Sequence, residues 1–440
     1  MSISTKAALK HTGAQLKETP NHLRRNFWLG VISGGAYHFY MAMLSTELVM
    51  TWFLSELTDS NLLISLLVPI ELGSWCFLQL LLSGYVQRQP RAMPLYWVMA
   101  AIRLASTGLL ALAVFTMDEP GILLLVTLAM FTANHVAAGV AALPFLNIVA
   151  KTIPPTRRGI YFGWRRFGGG LLGIFGGVLV KAILTPDFMP FPNNYALLFF
   201  LGFLSTVVLV GSFSFVVEPE EVADSQPVGL GEQLRRAIRL PARDRNYGRY
   251  LGIRAAIAVA NYAPPFYAVY ARRALGAPED TVGIYLIGTT LTGLLFNLIS
   301  GRIGDRYGNR LMMRLSALTA ALSPLMALLI IYLPEIGLDK ILMFTLVFVF
   351  RGLHVTVSSV GSNPYVMEIA PSIQRVLYLG FANGVVGLAL FASPLGGAIV
   401  DWAGFEPLFL LSLACSLVAV VLSLGLQEPR EKQVQVTPSH

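Results

Sequence analysis

Charge is what this sequence has least of. Only 13% of its 440 residues are Asp, Glu, Lys or Arg, against about 25% in a soluble domain. With 55% of the chain hydrophobic, a water-soluble globule is excluded and a bilayer is the natural solvent. Cysteine is nearly absent. Cys76 and Cys415 both lie in apolar runs, which rules out a disulfide framework or a cysteine metal cluster. No Gly-x-x-x-x-Gly-Lys-Ser/Thr loop occurs, so a nucleotide-driven pump is not expected. No His-x-x-x-His pair or nucleophile–base spacing occurs, so neither an enzyme nor a metal or other cofactor is expected. The net charge of +8 raises the question of nucleic acid. The basic residues answer it by clustering at the ends of apolar segments, where lipid headgroups lie.

What is present is a series of long apolar runs. Each span needs roughly 20 mostly apolar residues. Candidates fall at 27–54, 61–83, 94–116, 121–150, 159–184 and 194–216, then at 248–274, 281–300, 311–333, 340–369, 376–402 and 405–426. These are numbered one to twelve here. Residues 1–26 are polar and basic, and the run after them is too long for a signal-peptide core, so it is retained as span one. The chain divides into an N-terminal segment (1–26), a six-helix bundle (27–216), a linker (217–247), a second bundle (248–426) and a tail (427–440). If both termini lie inside, 25 of the 32 basic residues fall on the inner side, four on the outer side and three within spans. The outer four are Lys181, Arg272, Arg273 and Lys340. This asymmetry predicts cytoplasmic termini. The linker reads as an acidic patch, Glu218, Glu220, Glu221 and Asp224. A short amphipathic helix follows, with Leu230, Leu234, Ala237 and Ile238 opposite Arg235, Arg236 and Arg239, suited to an anionic lipid surface.

The two bundles repeat one another. Ser83-Gly84 recurs as Ser300-Gly301, 217 residues on. Arg158-x-x-Tyr161-x-Gly163-Trp164 recurs as Arg375-x-x-Tyr378-x-Gly380-Phe381 at the same offset. Two landmarks at one offset describe six spans duplicated in parallel, packed around an axis along the membrane normal.

Residues 301–310 read Gly-Arg-Ile-Gly-Asp-Arg-Tyr-Gly-Asn-Arg. This resembles the Gly-x-x-x-Asp-Arg-x-Gly-x-Arg loop of the major facilitator superfamily, and it lies on the expected inner side between spans eight and nine. The resemblance covers residues 27–426. It implies an all-α membrane protein of twelve helices in two six-helix bundles, working as a monomeric secondary transporter by alternating access. The implied gate is Gly301, Asp305, Arg306, Gly308 and Arg310, with Asp305 meeting the start of span five near Arg157, Arg158 and Gly159. The first-half counterpart, 84–91, has no Asp, so the gates of the two halves are unequal. In span four His135 stands four residues before Gly139, where the family often has Arg; a titrating proton role and a His bonded within the bundle both remain open. The glycine run 168–177 of span five resembles an antiporter motif but lacks its Pro. Gly169, Gly173 and Gly177 share a helix face and permit close packing in any case.

Ionisable groups at mid-span cost about 2.5–3.5 kcal/mol to insert, so they face the bundle interior. Glu71 and Arg103, roughly 18 and 14 Å from the inner surface by helical rise, are expected to form a structural ion pair. The resemblance implies that spans one, four, seven and ten line the cavity. Its candidates are then Glu47 and His135 for proton coupling, and Tyr37, Tyr40, Asn134, Arg254, Asn261, Tyr262, Tyr267, Arg351, His354 and Ser358 for substrate. Pro264-Pro265 should break span seven. Glu47 is the leading proton carrier. Arg254 and Arg351 stay charged and are expected to hold an anionic group or to pair with Glu47. The expected function is proton-coupled transport of a small organic solute across a plasma membrane, of the bacterial inner-membrane kind. Lipophilic drug efflux and a non-transporting receptor or assembly factor of the same fold stand as alternatives.

Overall fold

A computed structural model describes residues 20–76, 89–220, 238–334, 339–371 and 374–428. The loop at Ser83-Gly84 and the amphipathic stretch 221–237 lie outside the described residues. The architecture is all-helical. Among the described residues, nine helices are long and apolar enough to cross a bilayer, from Met93–Thr116 to Phe405–Leu424. The three other span positions are occupied by interrupted helices. Span one is Pro20–Met43, a π-helical turn Thr46–Met50 and Thr51–Leu57. Span two begins with Asn61–Ser65 and a π-helical turn Pro69–Gly73. Span seven is Arg245–Ala260 followed by Pro264–Arg273. The break in span seven precedes Pro264 and Pro265, which open the second piece at positions where a missing N–H is tolerated.

The repeat reappears in the breaks. Span one first stops at Met43 and span seven at Ala260, again 217 residues apart. Each half also closes its terminal side with a carboxylate beyond its last span. Glu218 accepts hydrogen bonds from the amides of Ala92 (2.9 Å) and Met93 (2.8 Å) at the start of span three, and pairs with Lys151 at 3.0 Å. The helix dipole favours an anion there. Glu428 stands beside the start of span nine, 3.6 Å from Arg310. Gly308 at that point has φ +86° and meets the Glu428 carboxylate, so a Cβ there would be both strained and obstructed. Glu218 was read as part of an acidic patch in the linker; the helix start it caps lies 125 residues earlier in sequence.

Packing divides the molecule by depth. One apolar core joins both halves on the side away from the termini, placing Tyr40, Trp52, Phe53 and Phe199 with Phe266, Tyr267, Phe344 and Phe409. Among the described residues a small cluster of Val68, Cys76, Ala258, Val386 and Leu390 still joins spans two, seven and eleven, and the terminal side otherwise holds two larger, separate cores. One is built of Tyr96, Tyr161 and Phe213 from the first half, the other of Tyr247, Tyr250, Tyr365 and Tyr378 from the second. The outer surface carries exposed apolar side chains such as Phe115, Leu125, Leu298 and Val421, as lipid contact requires.

Candidate functional site

The contact between spans five and eight shows where the halves part. From the far side inward, a Cβ on Gly177 would meet Ile287, on Gly173 Thr290, and on Gly170 Leu294. Arg166 then reaches Asn297 at 3.4 Å. Beyond that level, among the described residues, a Cβ on Gly163 or Gly159 of one helix, or on Gly301 of the other, would meet nothing within 4 Å. Small residues allow the close approach, and it ends midway along the helices. On the opposite flank span two follows span eleven from Asn61 against Gly397 to Gly73 against Phe391. There the described residues end at Cys76.

A charged layer lies where the two halves meet at mid-depth. Arg351 of span ten donates from Nε to both oxygens of Glu47 in span one, at 3.1 and 3.0 Å. Its Nη1 donates to Asn261 Oδ1 of span seven at 2.7 Å. Glu47 stands on the π-helical turn, and Asn261 ends the first piece of span seven. Both interrupted helices therefore present their breaks to one guanidinium. Beside it Asn261, Tyr267, Arg351, His354 and Ser412 line a cleft that holds about one water. His354 is buried, with Nδ1 3.0 Å from the Ser316 carbonyl.

The remaining candidates distribute unequally. Tyr40 donates to Asn134 Oδ1 at 2.8 Å, and Asn134 donates to the Arg103 carbonyl and to Ser106, both at 3.3 Å. Those groups are engaged inside the first bundle. Tyr37 is exposed and packs edge-on against His38. Tyr262 donates to the Ala389 carbonyl of span eleven. Ser358 lies 3.4 Å from Ser362 on its own helix. His135 is buried and packs on Phe131 with ring centroids 4.2 Å apart. Among the described residues the buried Nε atoms of Arg254 and Arg103 have no hydrogen-bond partner.

The expected Glu71–Arg103 pair is not formed among the described residues. Arg103 places its guanidinium over the Tyr40 ring, 5.6 Å from the centroid. Glu71 rides on the π-helical turn Pro69–Gly73. A wide turn shifts the face a residue occupies, whereas the depth argument assumed regular α-helix. At the implied gate, Arg158 donates to the Ile153 and Ala150 carbonyls of its own half. Asp305 is exposed, Arg306 lies over Tyr307 and Arg310 faces Glu428.

Further inter-half bonds lie on the far side, at residues that spacing had not singled out. Arg272 pairs with Glu56 and donates to the Ser55 carbonyl and hydroxyl. Ser55 and Arg272 are 217 residues apart, so repeat-equivalent positions meet on the pseudo-two-fold axis. Arg273 donates to the Thr58 carbonyl at 2.9 Å and to Asn61 at 3.2 Å. Asp401 accepts from the Asn61 side chain at 2.7 Å. Glu279 accepts from Asn194 at 2.9 Å. Burial raises the carboxyl pKa of Glu279, and the Glu56 charge adds to it. One signal did exist in the sequence: Arg272 and Arg273 are two of only four basic residues on the basic-poor side.

Comparison with known proteins agrees with this geometry. Residues 250–439 match the family model of the Major Facilitator Superfamily. The solved D-xylose–proton symporter is similar over 93% of this chain and 99% of its own, with a TM-score of 0.69 and 15% identity. A mutant of the nucleoside transporter NupG gives 92%, 98%, 0.66 and 16%. A POT family transporter in complex with 5-aminolevulinic acid gives 93%, 96%, 0.65 and 13%. No curated protein sequence matches the chain. The chain therefore has the major facilitator fold, and the resemblance read from residues 301–310 holds.

Proposed function

We propose, with the major facilitator fold as premise, that this protein is a secondary transporter of a small organic solute, working by alternating access and coupled to protons. The observation that carries this reading is the division of the core. Among the described residues one large shared core closes the far side and two separate cores flank the terminal side, with a small inter-half cluster where span two meets spans seven and eleven. A rocking motion about the charged layer exchanges those two arrangements. With the termini in the cytoplasm of a plasma membrane, as the basic residues favour, the present state faces inward.

Glu47 is assigned the proton. Its salt bridge to Arg351 crosses between the halves, so protonating Glu47 releases Arg351 and loosens the contact that couples them. Arg351, or Arg254 with its unpartnered Nε, then meets an anionic group on the substrate, with Asn261, Tyr267 and His354 around it. Asp305 is assigned to the other state, in which the terminal side closes and spans five and eight meet beyond Gly163.

The test begins with a thermal-stability screen of purified protein against organic anions at two pH values. A stabilising solute is then assayed in proteoliposomes. E47Q should lose accumulation driven by a pH gradient while retaining solute exchange between equal pH compartments. Full gradient-driven accumulation by E47Q would overturn the assignment of Glu47.

A further inference from the structure

A second cavity lies on the far side, apart from the central cleft. It measures about 370 Å3 and is lined by Trp52, Glu56, Phe191, Asn194, Arg272 and Glu279, among others. That is within the usual size range for a small-molecule site, roughly 300–1,000 Å3. Its walls come from both halves: the end of span one, the segment before span six, and the end of span seven with its following loop.

We propose that this vestibule is a binding site for a small organic cation, an aryl-alkyl ammonium, held between the Glu279 and Glu56 carboxylates with its ring against Phe191 and Trp52. Two carboxylates face one guanidinium there, which leaves an excess of negative charge. Arg272 is committed to Glu56 and Ser55. Glu279 accepts through Oε2 from Asn194, and no bond to its other oxygen is found among the described residues. Trp52 and Phe191 supply aromatic wall to the cavity. The aromatic walls favour a cation with an apolar body. Burial and the neighbouring Glu56 charge, which raise the proton affinity of Glu279, identify it as the place where a positive charge is most wanted. The ligand bridges the halves only while the far side is closed, so it biases the protein towards that state.

The site is independent of the proton assignment at Glu47, and its test needs no transport. The probe is phenethylammonium chloride, titrated by calorimetry into the full-length protein in detergent at neutral pH, with 2-phenylethanol as the neutral comparison. Saturable binding of the ammonium and a marked preference over the alcohol are expected. E279Q should weaken it about 10- to 100-fold, the loss of one charge-assisted contact. M189W, which adds bulk from the exposed side of the cavity, should abolish it. E406Q, an acid on another part of the far face, should bind as wild type. Equal affinity for the alcohol, or wild-type affinity in both E279Q and M189W, overturns the proposal. E47Q separates the two sites. Wild-type amine binding in E47Q supports the vestibule, whereas binding lost in E47Q and kept in E279Q places the amine at the central cleft and overturns it.

Discussion

At the scale of single residues the decisive contact is Glu47 with Arg351. Arg351 is buried and its side chain is engaged on two sides, by Glu47 and by Asn261. Removing one member of a buried pair leaves an uncompensated charge and costs about 3–5 kcal/mol, more than removing both. R351A should therefore lower the melting temperature of the detergent-solubilised protein further than E47A/R351A does. A double-mutant cycle of thermal stabilities measures the coupling, and additive losses would remove the pair from the account. Gly308 makes a second residue-scale prediction. Its backbone lies where essentially only glycine rests, a conformation costing other residues about 1–3 kcal/mol, and the Glu428 carboxylate fills the place of a side chain. G308A should lower the same melting temperature measurably, whereas G301A, with open space around it, should not.

At the scale of elements, spans five and eight act as the hinge flank. Bulk added at Gly173, which faces Thr290, should push the far ends apart. Bulk added at Gly163, which faces nothing in this state, should block closure of the terminal side and hold the present state. Cysteine-accessibility labelling of residues near Gly159 and Gly301 reads both effects: G163L should raise labelling there and G173L should lower it. The far-side latch adds a dependence on pH. Burial raises the proton affinity of Glu279 in the closed arrangement, and opening hydrates it. The closed arrangement is thus favoured as pH falls through the raised carboxyl range and penalised as pH rises above it. Arg272, Arg273, Asp59 and Asp401 are further charges there. Spin labels at D59C and E406C should report a shorter far-side separation at pH 5 than at pH 8. An unchanged distance distribution would show that these carboxylates do not bias the state.

For the whole molecule, alternating access requires the far side to open. Asn61 and Asp401 join the halves across that side. Oxidising N61C/D401C to a disulfide should stop flux in proteoliposomes, and reduction should restore it. Flux that persists through the cross-link would contradict a rocking mechanism.

The sequence by itself determined a bilayer protein of duplicated halves. Apolar run length, the asymmetry of Lys and Arg and the 217-residue offset are all one-dimensional properties, set by bilayer thickness and by gene-level repetition. The residues 301–310 carried the family likeness for the same reason. Only the tertiary structure decided which charges meet. Glu47 was legible as a costly mid-span acid, but its partner lies 304 residues away on the other half, and Glu71 was turned from Arg103 by a π-helical turn that composition does not announce. Glu218 read as part of an acidic patch in the linker until the fold carried it to the start of span three. The far-side latch of Glu56, Arg272, Asn61 and Asp401 was legible only as two unexpected arginines, because pairing across a pseudo-two-fold axis depends on how two rigid bundles rest against each other. That contact is settled by packing of side chains in three dimensions, and no local pattern along the chain records it.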